Sequence, residues 1–113
     1  MKVTYKRHVN IEKCNRVEFL LINYDYIDGN DYLAKLFNEE YGFSVGEKID
    51  GWWYSIIRIQ LDASIYELVW HEDTGNEIYS LSQTQKENDI LQERLTKVLL
   101  ILNNQIREKG QRE

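Results

Sequence analysis

Between Trp52 and Leu81 the chain carries three successive runs rich in aromatic and β-branched residues, split by short turn signals. Such residues suit pleated, half-buried surfaces. In 52–61, Trp53, Ile57, Ile59 and Leu61 fall on one face with Ser55, and Trp52, Tyr54, Ile56, Arg58 and Gln60 on the other. In 64–71, Tyr66, Leu68 and Trp70 alternate against Ile65, Glu67 and Val69. Asp62-Ala63 forms one tight turn. Asp73-Thr74-Gly75-Asn76 forms the next, because Gly and Asn accept the positive φ a hairpin demands. With Glu77–Leu81 added, the segment predicts a three-stranded meander, and the class must contain an antiparallel sheet.

The flanks supply the rest. Val3, Tyr5, Arg7 and Val9 alternate with polar or smaller residues, and 16–23 is a more buried strand run, so the two predict a hairpin across the polar turn 10–15. After Asp28-Gly29-Asn30-Asp31, the apolar residues Tyr32, Leu33, Leu36, Phe37 and Tyr41 take helical spacing, and Gly42 stops a short helix over 31–41. Gly46 and Gly51 frame a loop. Ser82 with Gln85, or Thr84, caps a long helix reaching about Glu108, with Leu91, Leu95, Val98, Leu99, Leu102 and Ile106 as its sheet-facing stripe. The expectation is one α+β domain over 1–113: a mostly antiparallel sheet of about five strands packed on the long C-terminal helix, with one short helix. Ile90, Leu100 and Ile101 lie off the stripe and are the candidate contacts for a homodimer.

Composition narrows function. The 113 residues carry a formal charge of −5, 42% apolar residues, no proline and one cysteine. A single thiol allows no internal disulfide and points to a reducing compartment. No signal-like or membrane-spanning apolar run occurs, so a cytoplasmic protein with no membrane partner is expected. Nucleic acid is not expected as a partner, because clustered Lys and Arg are missing. Charge is uneven: residues 25–50 hold seven acids against Lys35 and Lys48, and residues 62–81 hold five acids and no Lys or Arg.

Catalytic signatures are weak. Asp73-Thr74-Gly75 matches the aspartic-protease triplet, but its flanks lack the apolar residues that would bury it, and a hairpin turn explains it. His71, Glu72 and Asp73 are adjacent on a strand end and do not converge. His8, His71 and Cys14 are too few and too scattered for a structural zinc site. Neither Lys13 nor Arg16 makes Cys14 a nucleophile. No catalytic residue, metal or cofactor is expected.

One region concentrates binding chemistry. Tyr24, Tyr26, Tyr32, Tyr41, Trp52, Trp53 and Tyr54 interleave with acids. Phe37 and Trp53 are expected in the core. Tyr24, Asp25, Tyr26, Asp28, Asp31, Glu39, Glu40, Glu47, Asp50 and Trp52 are the candidate partner-binding residues, since Tyr and Trp give rigid contact area and the acids steer a basic partner. With Gly51-Trp52-Trp53-Tyr54 and the acidic stretch Asp25–Asp50 as its focus, the chain resembles bacterial immunity proteins of contact-dependent growth inhibition and related polymorphic toxin systems. That resemblance implies a non-catalytic inhibitor covering the active site of a cognate toxin, often a basic nuclease, with acids standing in for substrate phosphate. Two other readings stay open: a homo-oligomeric structural or regulatory module, and a small enzyme or ligand-binding protein with a sheet–helix pocket near His71 and Tyr66.

Overall fold

In a computed structural model describing residues 2–112, the chain forms strands β1 (Thr4–Asn10), β2 (Arg16–Ile22), β3 (Ser44–Asp50), β4 (Tyr54–Leu61), β5 (Ser64–His71) and β6 (Gly75–Ser80), with helices α1 (Gly29–Tyr41) and α2 (Gln85–Arg112). The strands make one antiparallel sheet in the order β1-β2-β6-β5-β4-β3. The meander β4-β5-β6 and the β1–β2 hairpin form as their alternation predicts, and β6 joins the two blocks through Phe19–Ile78 and Leu20–Glu77. The hairpin reverses over a single 3-10 turn at Ile11–Lys13, followed by Cys14 and Asn15 at φ 56° and 60°.

The sheet has six strands rather than about five. The extra one is β3, in the segment whose two glycines read as a loop. Its residues are nearly all exposed because it is an edge strand, so no alternation marks it. A bulge between Val45 and Lys48 interrupts its pairing with β4. At that bulge a Cβ on Gly46 would lie 2.9 Å from the Arg58 carbonyl oxygen, so the close approach of the two backbones requires glycine.

Two adjacent rows across the sheet explain the layering. The row Arg7–Phe19–Ile78–Leu68–Ile57–Lys48 runs through all six strands, and its four central side chains are fully or almost fully buried. Both helices lie on this face. Leu33, Ala34, Leu36 and Phe37 of α1 enter the core over β3, β4 and β5. From α2 come Leu91, Leu95, Val98, Leu99 and Leu102, as the stripe predicts. Each of these side chains other than Ala34 contributes about 1.5–3 kcal/mol relative to an exposed position. The row's ends are closed by ions: Arg7 bonds Asp89 at 2.9 Å and Gln92 at 2.7 Å on α2, and Lys48 bonds Asp31 at 2.8 Å on α1.

The helix ends follow their signals with small shifts. Gly42 at φ 84° caps α1 and donates to the Asn38 carbonyl at 2.9 Å. At the start of α2, Thr84 Oγ1 accepts the Glu87 N–H at 3.1 Å, so the cap is Thr84 and not the Ser82–Gln85 pair. Ile106 is 43% exposed, unlike the rest of its stripe. Leu100 is exposed, and Ile90 and Ile101 are half-buried, Ile101 against the core.

Candidate interaction surface at one end of the sheet

Four connections meet where β2 ends and β4 begins: the loop 23–28, the first turn of α1, the β3–β4 turn 51–53 and the β5–β6 turn 72–74. Side chains bind them together. Asn76, wholly buried, accepts the Tyr26 N–H at 2.8 Å and donates to the Tyr26 carbonyl at 3.1 Å, pairing the loop to β6 as a strand would. Trp70 Nε1 donates to Asp25 at 3.0 Å. Tyr24 donates to the Gly29 carbonyl at 2.8 Å, and its ring lies so close that a Cβ on Gly29 would stand 2.7 Å from it. The Glu72 N–H donates to the Trp53 carbonyl at 2.9 Å, joining the two turns. The surface therefore has a fixed frame although it is built from loops.

The predicted residues separate on this frame. Tyr24 is only 6% exposed, and burial pushes its phenol up to about 12, so it is an internal strut and not a contact anchor. Asp25, Tyr26, Asp28, Asp31, Asp50 and Trp52 do come to this end. Glu39 and Glu40 do not: they occupy the far end of α1, where Glu40 pairs with Lys97. Glu47 is exposed in the β3 bulge. Trp53 is 57% exposed instead of buried. Its alternation with Ser55 and Ile57 fails because β4 begins only at Tyr54. Trp53 stands 6.5 Å from Trp52, centroid to centroid, and Trp52 is 92% exposed. Tyr54 packs on Gly51, where a Cβ would meet its ring at 2.1 Å.

The field here is less negative than the sequence implies. Lys48 reaches Asp28 at 3.4 Å, Asp31 at 2.8 Å and Asp50 at 3.8 Å. Hydrogen bonding to Asp31 holds its ammonium above the ordinary lysine range. A lysine counted merely as diluting the acidic block is thus its organising centre. Asp73 lies at the exposed β5–β6 turn and its N–H donates to His71 Nδ1 at 3.1 Å, as turn chemistry requires. The Tyr66 phenol is buried and held by Arg94 at 2.8 Å. Among the described residues no group of three or more His, Cys, Asp and Glu converges as metal ligands, and no helix is long and apolar enough to cross a membrane.

Sequence reasoning missed a polar ladder on the sheet face away from the helices. Arg58 bonds Glu67 at 2.8 Å, Tyr79 donates to Glu67, the Arg16 guanidinium lies 3.7 Å over the Tyr79 ring, and Arg16 Nε bonds Glu18 at 2.8 Å. Only the i/i+2 pair Arg16–Glu18 was visible in sequence as a same-face strand pair.

These features define a small α+β protein with an open antiparallel sheet and a framed aromatic end. Comparison with known proteins finds no family model, curated protein or solved structure that the chain matches.

Proposed function

We propose that the protein is a binding module whose aromatic end docks a basic protein surface, and that it acts as an immunity-type inhibitor of a cognate toxin in the cytoplasm. The observation that carries this reading is the pair Trp52 and Trp53. Two neighbouring indoles are held out into solvent by turns that are themselves cross-bonded. Leaving that much apolar surface in water forfeits burial energy, and exposed Trp on a rigid frame is the composition of a binding hot spot. Tyr26 adds a third exposed ring. Asp28, Glu72 and Asp73 are exposed on the turns of the same end and supply charge suited to steering a cationic partner.

The test pairs the protein with a candidate toxin sought among the genes next to its own. Trp52→Ala is expected to weaken the complex by about 2 kcal/mol or more, mainly through faster dissociation. Asp28→Lys with Glu72→Lys is expected to slow association and flatten its salt dependence. Asp25 is unsuitable for charge reversal because it anchors Trp70. An unchanged dissociation rate in Trp52→Ala rules out this surface. No inhibition of the toxin by the wild-type chain rules out the immunity role.

A further inference from the structure

The helices cover one face of the sheet, and no described element covers the other. Beside the buried row runs a second complete row on that bare face: Lys6–Leu20–Glu77–Val69–Ile56–Ile49. Ile49 is 58% exposed, and Leu20, Val69 and Ile56 are half-buried. Ile22, Tyr54 and Leu81 extend the same apolar surface, each more than a third exposed. The polar ladder from Arg58 to Glu18 crosses this face and satisfies its own charges. Glu77 is the exception. It sits on a central strand between Leu20 and Val69, and the cation that acts on it, Arg16, is bonded to Glu18.

We propose that this bare face is where a second copy of the chain docks, sheet against sheet, with the two Glu77 carboxyls meeting near the two-fold axis. Three observations favour a second copy over another occupant. Six strands at about 4.8 Å spacing and about six residues of about 3.3 Å each present roughly 600 Å², so two copies cover roughly 1,200 Å², at the lower end for a stable pair. The face is self-complementary about an axis along the strands, which sets β1, with Lys6 and His8, opposite the other copy's β3, with Glu47. The row's apolar side chains span the middle strands, and Glu77, whose cation Arg16 is already bonded to Glu18, lies beside the axis, where an identical carboxyl can share its proton.

The pairing is therefore proton-linked. Loss of water around Glu77, followed by repulsion from Glu18, pushes its carboxyl up to about 7 in the single copy. A second carboxyl opposite raises it further, so dimerisation takes up protons and weakens as pH rises. The other charged groups on this face are Lys6 and His8 from β1, Arg16 and Glu18 from β2, Tyr79 from β6, Glu67 and His71 from β5, Arg58 from β4 and Glu47 from β3; no helix packs on it. His8 and His71 lie on the same face, so the variant at Glu77 is needed to assign the effect to its carboxyl.

Sedimentation equilibrium of the protein alone at about 100 μM, at pH 6 and pH 8, tests this. Dimer is expected at pH 6, with Kd about ten-fold weaker at pH 8 for each proton taken up. Glu77→Gln is expected to dimerise alike at both pH values. Ile49→Glu and Val69→Lys are expected to be monomeric at both, with unchanged circular dichroism; Ile49 is exposed enough for its variant to fold. Leu100→Glu, on α2, is expected to behave as wild type. A monomer at pH 6, or a dimer that Leu100→Glu breaks and Ile49→Glu does not, overturns the proposal. Neither result bears on toxin binding, which uses the indole end.

Discussion

At the residue scale, one buried and one half-buried polar group set testable limits on this fold. Asn76 makes both of its amide bonds to the backbone of Tyr26. Asn76→Ala leaves two backbone groups of the loop without their partner, and a loss of about 2–3 kcal/mol in urea unfolding is expected, together with faster amide exchange at 24–28. A stability change within about 0.5 kcal/mol would show that the loop is held by Trp70–Asp25 and Tyr24–Gly29 alone. Glu77 has the opposite sign. Its folded carboxyl titrates at about 7, above the ordinary value of 4.5, so the folded chain binds more protons than the unfolded one between these values. Stability therefore falls as pH rises through that window. Glu77→Gln is expected to stabilise the protein by about 1–2 kcal/mol at pH 8, allowing for the carboxyl's partial contact with water, and to have no effect below pH 4.5. Parallel urea midpoints for both proteins across pH 4–8 would refute the assignment.

At the element scale, the two long-helix leucines five residues apart discriminate core from surface. Leu95 is wholly buried in the stripe, and Leu95→Ala is expected to cost about 2–5 kcal/mol. Leu100 points away, and Leu100→Ala is expected to change stability by less than about 0.5 kcal/mol. Thermal unfolding of the pair reads this directly, and comparable losses would mean the helix is rotated. The helices and the inner strands were legible because each buries one side, which leaves a period of 3.6 or 2 in the apolar residues. β3 was not legible for the same reason in reverse. As an edge with a bulge it buries almost nothing, so Ser44–Asp50 carries no period, and its two glycines imitate a loop. Trp53 misled because periodicity was extended one residue past the strand's start, into a turn where Cβ directions no longer alternate.

At the scale of the whole molecule, a net charge of −5 is a poor guide to where negative field appears. Lys48 gathers Asp28, Asp31 and Asp50, and Lys97 holds Glu40, while Glu72 and Asp73 bring the second acidic block to the same end as the first. Of the ten residues proposed from sequence for partner contact, six converge exposed at that end, Tyr24 is there but buried, and Glu39, Glu40 and Glu47 lie elsewhere.

What the residues determined by themselves was local: alternation, helical stripes, turn chemistry and the fit of aromatic side chains to a pleated surface. These suffice for an antiparallel sheet backed by a long helix, since every one is a property of a few consecutive residues. The order β1-β2-β6-β5-β4-β3, the bare second face and the meeting of four turns around Trp52 were decided only by tertiary packing. Their cause is the joining of β6 to β2, a contact between residues more than 50 apart in the chain. That pairing rests on Phe19 and Ile78 sharing one core, and no short-range pattern encodes it. It also turns Glu77 from one acid among many into the lone carboxyl at the centre of an apolar row.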